Sequence, residues 1–316
     1  MKQKLSFFMI FLILCLILSA CKSELQESPL TPTARKTPTV SQTQNVMPTP
    51  TLQQYESAIA FMEGFVMAWA SLDPDELLPY YSEDVKAYDS SAYHVTYTYV
   101  TVKDFVSGHD KNSNMIFELT SFFIADDGRF SASTGMMSIK HRDGWASVPT
   151  MSMFEIHDGQ VIWEYDYYAG SMSETYPLPE IPLSASQHTL TEDESAQIKS
   201  ILMNWEAAFN NFDLETLSTF YSDQASCINM IAPEWVVQPK DQMLDNFEDK
   251  FSDDKLGMIL QDFFISANGQ YVAVQGEFQL IDETPQPIIM LLELKNGEII
   301  QQYLYLDDPV YYVIFD

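Results

Sequence analysis

From Thr51 onward, the apolar positions follow two periods in turn, and the whole sequence of periods is written twice. Tyr55, Ile59, Met62, Val66 and Trp69 recur at spacings of four and three, the stripe of an amphipathic helix; Ile198, Ile201, Trp205, Ala208 and Phe212 repeat it further on. Thr51 with Gln54, and Thr191 with Glu194, fit the capping box that opens such a helix. A second short helix is predicted at Asp73-Pro74, where proline occupies the one helical position at which its missing N–H is harmless, with a counterpart at Asp213. A middle helix near Lys103 to His109 (Lys240 to Phe247 in the second copy) precedes a switch to period two. Met115 to Ile124, Arg129 to Lys140, Trp145 to Ile156 and Gln160 to Tyr168 read as strands separated by Asp127-Gly128, Asp143-Gly144 and Asp158-Gly159, signals for tight hairpins. Helices followed by a meander predict an α+β fold.

The duplication is explicit in the residues. Phe65 to Asp73 with Leu77 and Tyr80-Tyr81-Ser82 matches Trp205 to Asp213 with Leu217 and Phe220-Tyr221-Ser222. Phe122 to Gly128 matches Phe263 to Gly269, and Phe154 to Gly159 with Tyr165 and Tyr167 matches Leu292 to Gly297 with Tyr303 and Tyr305. The separations are 140, 141 and 138 residues, too long for a solenoid unit of about 20–50 residues. The expected organisation is residues 1–20 as a signal, 21–51 as a spacer, 52–170 as a first domain, 171–190 as a linker and 191–316 as a second domain.

The amino terminus is exempt from this pattern. Lys2 and Lys4 precede an uncharged run of 14 residues, Leu5 to Leu18, shorter than the roughly 20 needed to span a bilayer, and Leu18-Ser19-Ala20-Cys21 follows. This resembles the lipobox of exported bacterial lipoproteins, which implies cleavage before Cys21 and lipidation of its thiol; an uncleaved anchor or plain secretion are the other readings. Residues 22–51 are rich in Thr, Pro, Gln and Ser and hold too few apolar groups to fold, so they form a spacer. The expected location is the extracytoplasmic side of a membrane, held by lipid.

Charge and chemistry narrow the options. Sixteen Lys plus Arg against 45 Asp plus Glu give a formal net charge of −29, which argues against nucleic-acid binding through a basic face. With Cys15 lost and Cys21 lipidated, Cys227 has no disulfide partner; its apolar neighbours favour a buried thiol over a nucleophile. No histidine has metal-ligand spacing, so no metal and no cofactor are expected.

The order helix with a late aromatic, Leu-Asp, Tyr-Ser, middle helix, strands, Asp-Gly-x-Ile and a tyrosine-rich last strand resembles the superfamily of nuclear transport factor 2-like domains, which includes SnoaL-like and ketosteroid-isomerase-like proteins. The resemblance implies two tandem cone-shaped domains, each with helices packed on a curved antiparallel sheet, and an apolar cavity holding a carboxylate and tyrosines. It further implies that the two sheets pair within the chain. Asp307 stands where SnoaL-like members often carry an acid, and Ala169 replaces it in the first copy, where Asp166 is the substitute. Glu155 and Glu293 point either into the cavity or to water. Alternation groups Tyr303 and Tyr305 on one face and Leu304 and Leu306 on the other; the expectation gives the tyrosines, with their counterparts Tyr165 and Tyr167, to the cavity, foremost in the second copy. Two functions follow: a tethered, non-catalytic module for a small apolar ligand or a protein partner, or an isomerase, cyclase or hydratase of the SnoaL-like kind.

Overall fold

A computed structural model describes residues 51–89, 95–108, 115–141, 144–168, 178–187, 190–229, 236–251, 256–280 and 285–306. The signal, Cys21, the spacer up to residue 50 and Asp307 lie outside the described residues. The described residues belong to one compact unit, Pro48–Asp316.

The amino-terminal half runs α1 (Leu52–Ser71), α2 (Pro74–Leu77), a 3-10 turn (Leu78–Tyr80), β1 (Tyr81–Asp89), β2 (Val95–Thr98), α3 (Tyr99–Gly108), β3 (Met115–Ile124), β4 (Phe130–His141), β5 (Gly144–His157) and β6 (Gln160–Tyr168). After a 3-10 turn at Leu183–Ser186 the order recurs: α4 (Glu192–Asn210), α5 (Leu214–Ser218), β7 (Tyr221–Asn229), β8 (Val236–Pro239), α6 (Lys240–Phe251), β9 (Leu256–Ile265), β10 (Tyr271–Leu280), β11 (Gln286–Lys295) and β12 (Glu298–Leu306). Two six-stranded sheets result, ordered β2-β1-β6-β5-β4-β3 and β8-β7-β12-β11-β10-β9. The meander is antiparallel as expected, but β1 runs parallel to β6, and β7 to β12. The returning last strand thereby meets an early strand that periodicity did not single out.

Local chemistry accounts for the ends of these elements. Both capping boxes form: Thr51 N–H donates to Gln54 Oε1 at 2.6 Å, and Thr191 N–H to Glu194 Oε2 at 2.9 Å. The Asp73 side chain caps α2, with Pro74 at its first position. Asp158 and Gly159 have φ of 50° and 75°, the left-handed pair that a two-residue hairpin turn requires. Gly135 is dictated by packing. A Cβ there would stand 2.3 Å from the Glu118 carbonyl oxygen, because β3 slips its register between Leu119 and Ser121 and presses its backbone inward.

The buried line of α1 is Tyr55, Ala58, Met62, Phe65 and Ala68, with Ile59, Val66 and Trp69 flanking it, so the stripe lies slightly round the helix from the one expected. In α4 it is Ser195, Leu202, Trp205, Ala208 and Phe209; Phe212 is 38% exposed because the helix stops at Asn210. Each half has a core between its helices and the inner face of its sheet. A third cluster draws on the outer faces of both sheets: Met151, Met153 and Tyr167 join Ile289, Leu291 and Tyr305, and Phe130 stacks on Phe264 at 4.4 Å. Backbone hydrogen bonds continue this contact, from Asp126 N–H to the Ile265 carbonyl (2.7 Å) and from Ala267 N–H to the Ile124 carbonyl (3.1 Å). Ile181 and Ala185 of the connecting segment are buried in the same cluster.

Cys227 is 4% exposed, and burial pushes its thiol from 9.0 up to about 12. At pH 8 its thiolate is therefore scarce, on the order of one part in 10⁴. The expected result is no reaction with 5,5′-dithiobis(2-nitrobenzoate) in the native protein and prompt reaction in guanidinium; modification at native rates equal to the unfolded chain would refute the buried placement.

Candidate functional site

Strand β6 divides its side chains by chemistry. Trp163, Tyr165 and Tyr167 face the other sheet, where Tyr165 lies 4.5 Å from the Trp163 ring and 6.1 Å from Tyr167. Glu164, Asp166 and Tyr168 face inward and line a cavity between sheet and helices, together with Trp69, Tyr81, Phe105, Phe117, Ser152 and Phe154. The cavity is partly open to solvent and its volume is about 50 Å³. Half of its described lining residues are aromatic, and β6 contributes the two acids.

Glu164 is 3% exposed and is held by a relay: Trp69 Nε1–H donates to Tyr81 Oη at 3.1 Å, and Tyr81 Oη–H donates to Glu164 Oε2 at 2.8 Å. Burial, reinforced by the charge of Glu164, raises the Tyr81 hydroxyl well above its usual range, so Tyr81 keeps its proton and remains the donor. Asp166, one pleat along, accepts a short hydrogen bond from the Ser152 hydroxyl. Ser133 pairs across from Ser152 in the ladder and Thr150 lies two residues before it, so both share the inward face. Their hydroxyls are buried without a hydrogen-bond partner among the described residues.

The carboxy-terminal half has the same frame with different contents. Trp205 Nε1–H donates to Tyr221 Oη (3.0 Å) and Tyr221 Oη–H to Gln302 Oε1 (2.8 Å), so the relay ends on an amide instead of a carboxyl. Leu304 stands where Asp166 stands, and Met290, paired with Leu304, where Ser152 stands, paired with Asp166. Met243, Met258, Met290 and Leu304 are all buried in that core.

The structure therefore corrects the expected site in two respects. The cavity with acids belongs to the first half, and Tyr165, Tyr167, Tyr303 and Tyr305 lie on the opposite sheet face, with Tyr305 fully buried against the other sheet. The cause is a bulge. From the Asp158-Gly159 turn, unbroken pairing sets Phe154 opposite Trp163; the register slips between Glu155 and Ile156, so Phe154 pairs with Glu164 instead. The same slip between Glu293 and Leu294 pairs Leu292 with Gln302. A one-residue slip exchanges the two faces of the strand. Glu155 and Glu293 follow the tyrosines: Glu155 meets Arg129 at 3.6 Å, and Glu293 accepts from Gln270 Nε2 at 3.1 Å. Of the expected residues that are described, Asp166 alone lines the cavity. Glu164 was missed; the signal available was the comparison of equivalent positions, where Glu164 and Asp166 meet Gln302 and Leu304 across the 138-residue offset.

No protein-family model matches the chain, and no curated protein matches it. Solved structures similar to it include an NTF2-like protein of unknown function from Burkholderia xenovorans LB400 (16% identity, 37% of this chain and 87% of that one, TM-score 0.32). A second is an NTF2-like protein of unknown function from Cytophaga hutchinsonii (12% identity, 38% and 95%, TM-score 0.30). A third is Bal32a from a soil-derived mobile gene cassette (18% identity, 37% and 94%, TM-score 0.33).

Proposed function

We propose that this protein is an extracytoplasmic lipoprotein, tethered through Cys21, whose folded part is a duplicated nuclear transport factor 2-like unit and whose amino-terminal half binds a small, largely apolar ligand. The observation that carries this reading is the contrast between the halves. One repeat lines a cavity with Glu164, Asp166 and Ser152, whereas the other carries Gln302, Leu304 and Met290 at those positions, with Met243 and Met258 buried in the same core. An open cavity leaves its walls without partner atoms, so keeping one in a fold able to close it points to an occupant. The second half then acts as the partner sheet that another copy would otherwise supply, which makes the protein a monomer. Native mass spectrometry of the purified protein tests the reading: a ligand of constant mass, lost on mild activation, is expected, and persistent absence across expression hosts and added small-molecule extracts argues against it.

The tether has its own test. Cys21→Ala is expected to abolish acylation and membrane retention while the far-ultraviolet circular dichroism of the protein stays unchanged. Retention without acyl label would make Leu5 to Leu18 the anchor.

One observation favours a second reading, that of an enzyme. Two carboxyl groups and a protonated tyrosine share an apolar cavity, the setting in which proton transfer at a bound carbon acid is fast. Binding is the simpler account, because Tyr81 is occupied as a donor to Glu164 and is not directed at an occupant.

A further inference from the structure

The identity of the occupant can be narrowed by what lines the cavity. Among the described residues the lining holds two carboxyl groups, Glu164 and Asp166, and no Lys, Arg or His. Six of the remaining described lining residues carry rings, beside Ala87, Val102, Leu119 and Ser152. Trp69 lies 5.1 Å from Phe117 and 6.5 Å from Phe105, each tilted to it, a concave aromatic surface of the kind that attracts a cation through its π faces. A second, independent feature sits beside the acids. Ser133 and Thr150, 0% and 1% exposed, leave their hydroxyl oxygens without a hydrogen-bond partner among the described residues, on the face that carries Ser152 and Asp166. Buried hydroxyls in that state call for a polar neighbour, and an ammonium N–H needs acceptors, which hydroxyl oxygens supply. The long-range field agrees, since a chain of net charge −29 concentrates cations near its surface. The carboxy-terminal half carries Gln302 and Leu304 at the positions of Glu164 and Asp166, so the acids belong to the amino-terminal half alone among these equivalent positions.

We propose that the cavity between α1, α3 and the amino-terminal sheet selects a small organic cation, an amine or quaternary ammonium on an apolar body, with Glu164 and Asp166 facing the charge and Trp69, Phe105 and Phe117 packing the rest. This rests on the reading that the cavity is a ligand site, and the experiment separates the two. The full-length protein, solubilised in mild detergent, is titrated with benzyltrimethylammonium and with its neutral isostere neopentylbenzene, following tryptophan fluorescence and calorimetric heat. The cation is expected to bind at least about tenfold more tightly than the isostere, the scale of a desolvated cation–π contact with added charge pairing. In Glu164→Gln with Asp166→Asn the two probes are expected to bind alike. Gln302 already fills the equivalent place in the relay, so this variant retains the frame, and the single change Asp166→Asn provides a milder version should the double variant fold poorly. Equal affinities for both probes in the unaltered protein, or a cation preference that survives removal of both acids, overturns the cation proposal and leaves the apolar site standing. Failure of both probes to bind overturns the proposal together with the site.

Discussion

Leu291→Glu is expected to unfold both halves of the protein together. Leu291 is 0% exposed and sits in the cluster built from the outer faces of the two sheets, opposite Ala273 and Tyr303 on its neighbouring strands. A carboxylate placed there meets Met151, Met153 and Tyr167 of the other sheet and no cationic member of that cluster. Desolvating the charge, or protonating it to avoid that, and losing the leucine contacts together cost more than about 4 kcal/mol, a large part of the roughly 5–15 kcal/mol that holds a domain folded. Leu291→Met, which conserves volume and polarity, is expected to cost less than about 1.5 kcal/mol. Because the cluster belongs to both sheets, the unaltered protein should melt in one calorimetric transition whose van 't Hoff and calorimetric enthalpies agree. Two resolved transitions, with only the later residues lost in Leu291→Glu, would show that the sheets hold independently.

Copying the second half into the first is expected to have the opposite effect on stability and the larger effect on function. In Ser152→Met with Asp166→Leu, the two cavity residues become those of Met290 and Leu304, which pair in the same register on the same face. The exchange removes a hydrogen-bonded, half-buried acid and places apolar volume in open space. Replacing buried polar pairs by packed hydrophobic groups is often neutral or stabilising by about 1–4 kcal/mol, and cavity filling commonly adds about 0.5–2 kcal/mol. A melting temperature higher by several degrees is expected, with ligand binding abolished. A lower melting temperature with binding intact would mean that the space is a packing defect and that the acids stabilise the fold.

Much of the architecture was legible in the sequence. Met115–Ile124 and Gln160–Tyr168 coincide with the strands expected from alternation, both capping boxes form, and the recurring pattern returns as two sheets of identical order. These features are local or repeated, and local chemistry is what a linear sequence displays. Strands β1 and β7 were not legible because their partners, β6 and β12, lie some 80 residues away (Tyr81 with Val161, Tyr221 with Ile299) and pair in parallel. The site failed for a related reason. Alternation told which residues of β6 and β12 share a face but not which face looks inward; one extra residue on the last strand, Ile162 between Val161 and Trp163 and Ile300 between Ile299 and Gln301, decided that, and nothing in those apolar runs announces a bulge. The wide rings of Tyr167 and Tyr305 then serve to span the gap between sheets, while Leu304 fits beneath α4. Asp307 lies outside the described residues, so its expected role as an acid of the second half rests on the resemblance alone.

The claim that one ligand site exists per chain, in the amino-terminal half, is tested most directly by titrating the unaltered protein and the Ser152→Met, Asp166→Leu variant with the neutral apolar dye N-phenyl-1-naphthylamine. Saturable fluorescence enhancement at one dye per chain is expected, with energy transfer from tryptophan that weakens in Trp69→Phe, and no saturable binding by the filled variant. Two dyes per chain, or undiminished binding by the filled variant, would contradict it.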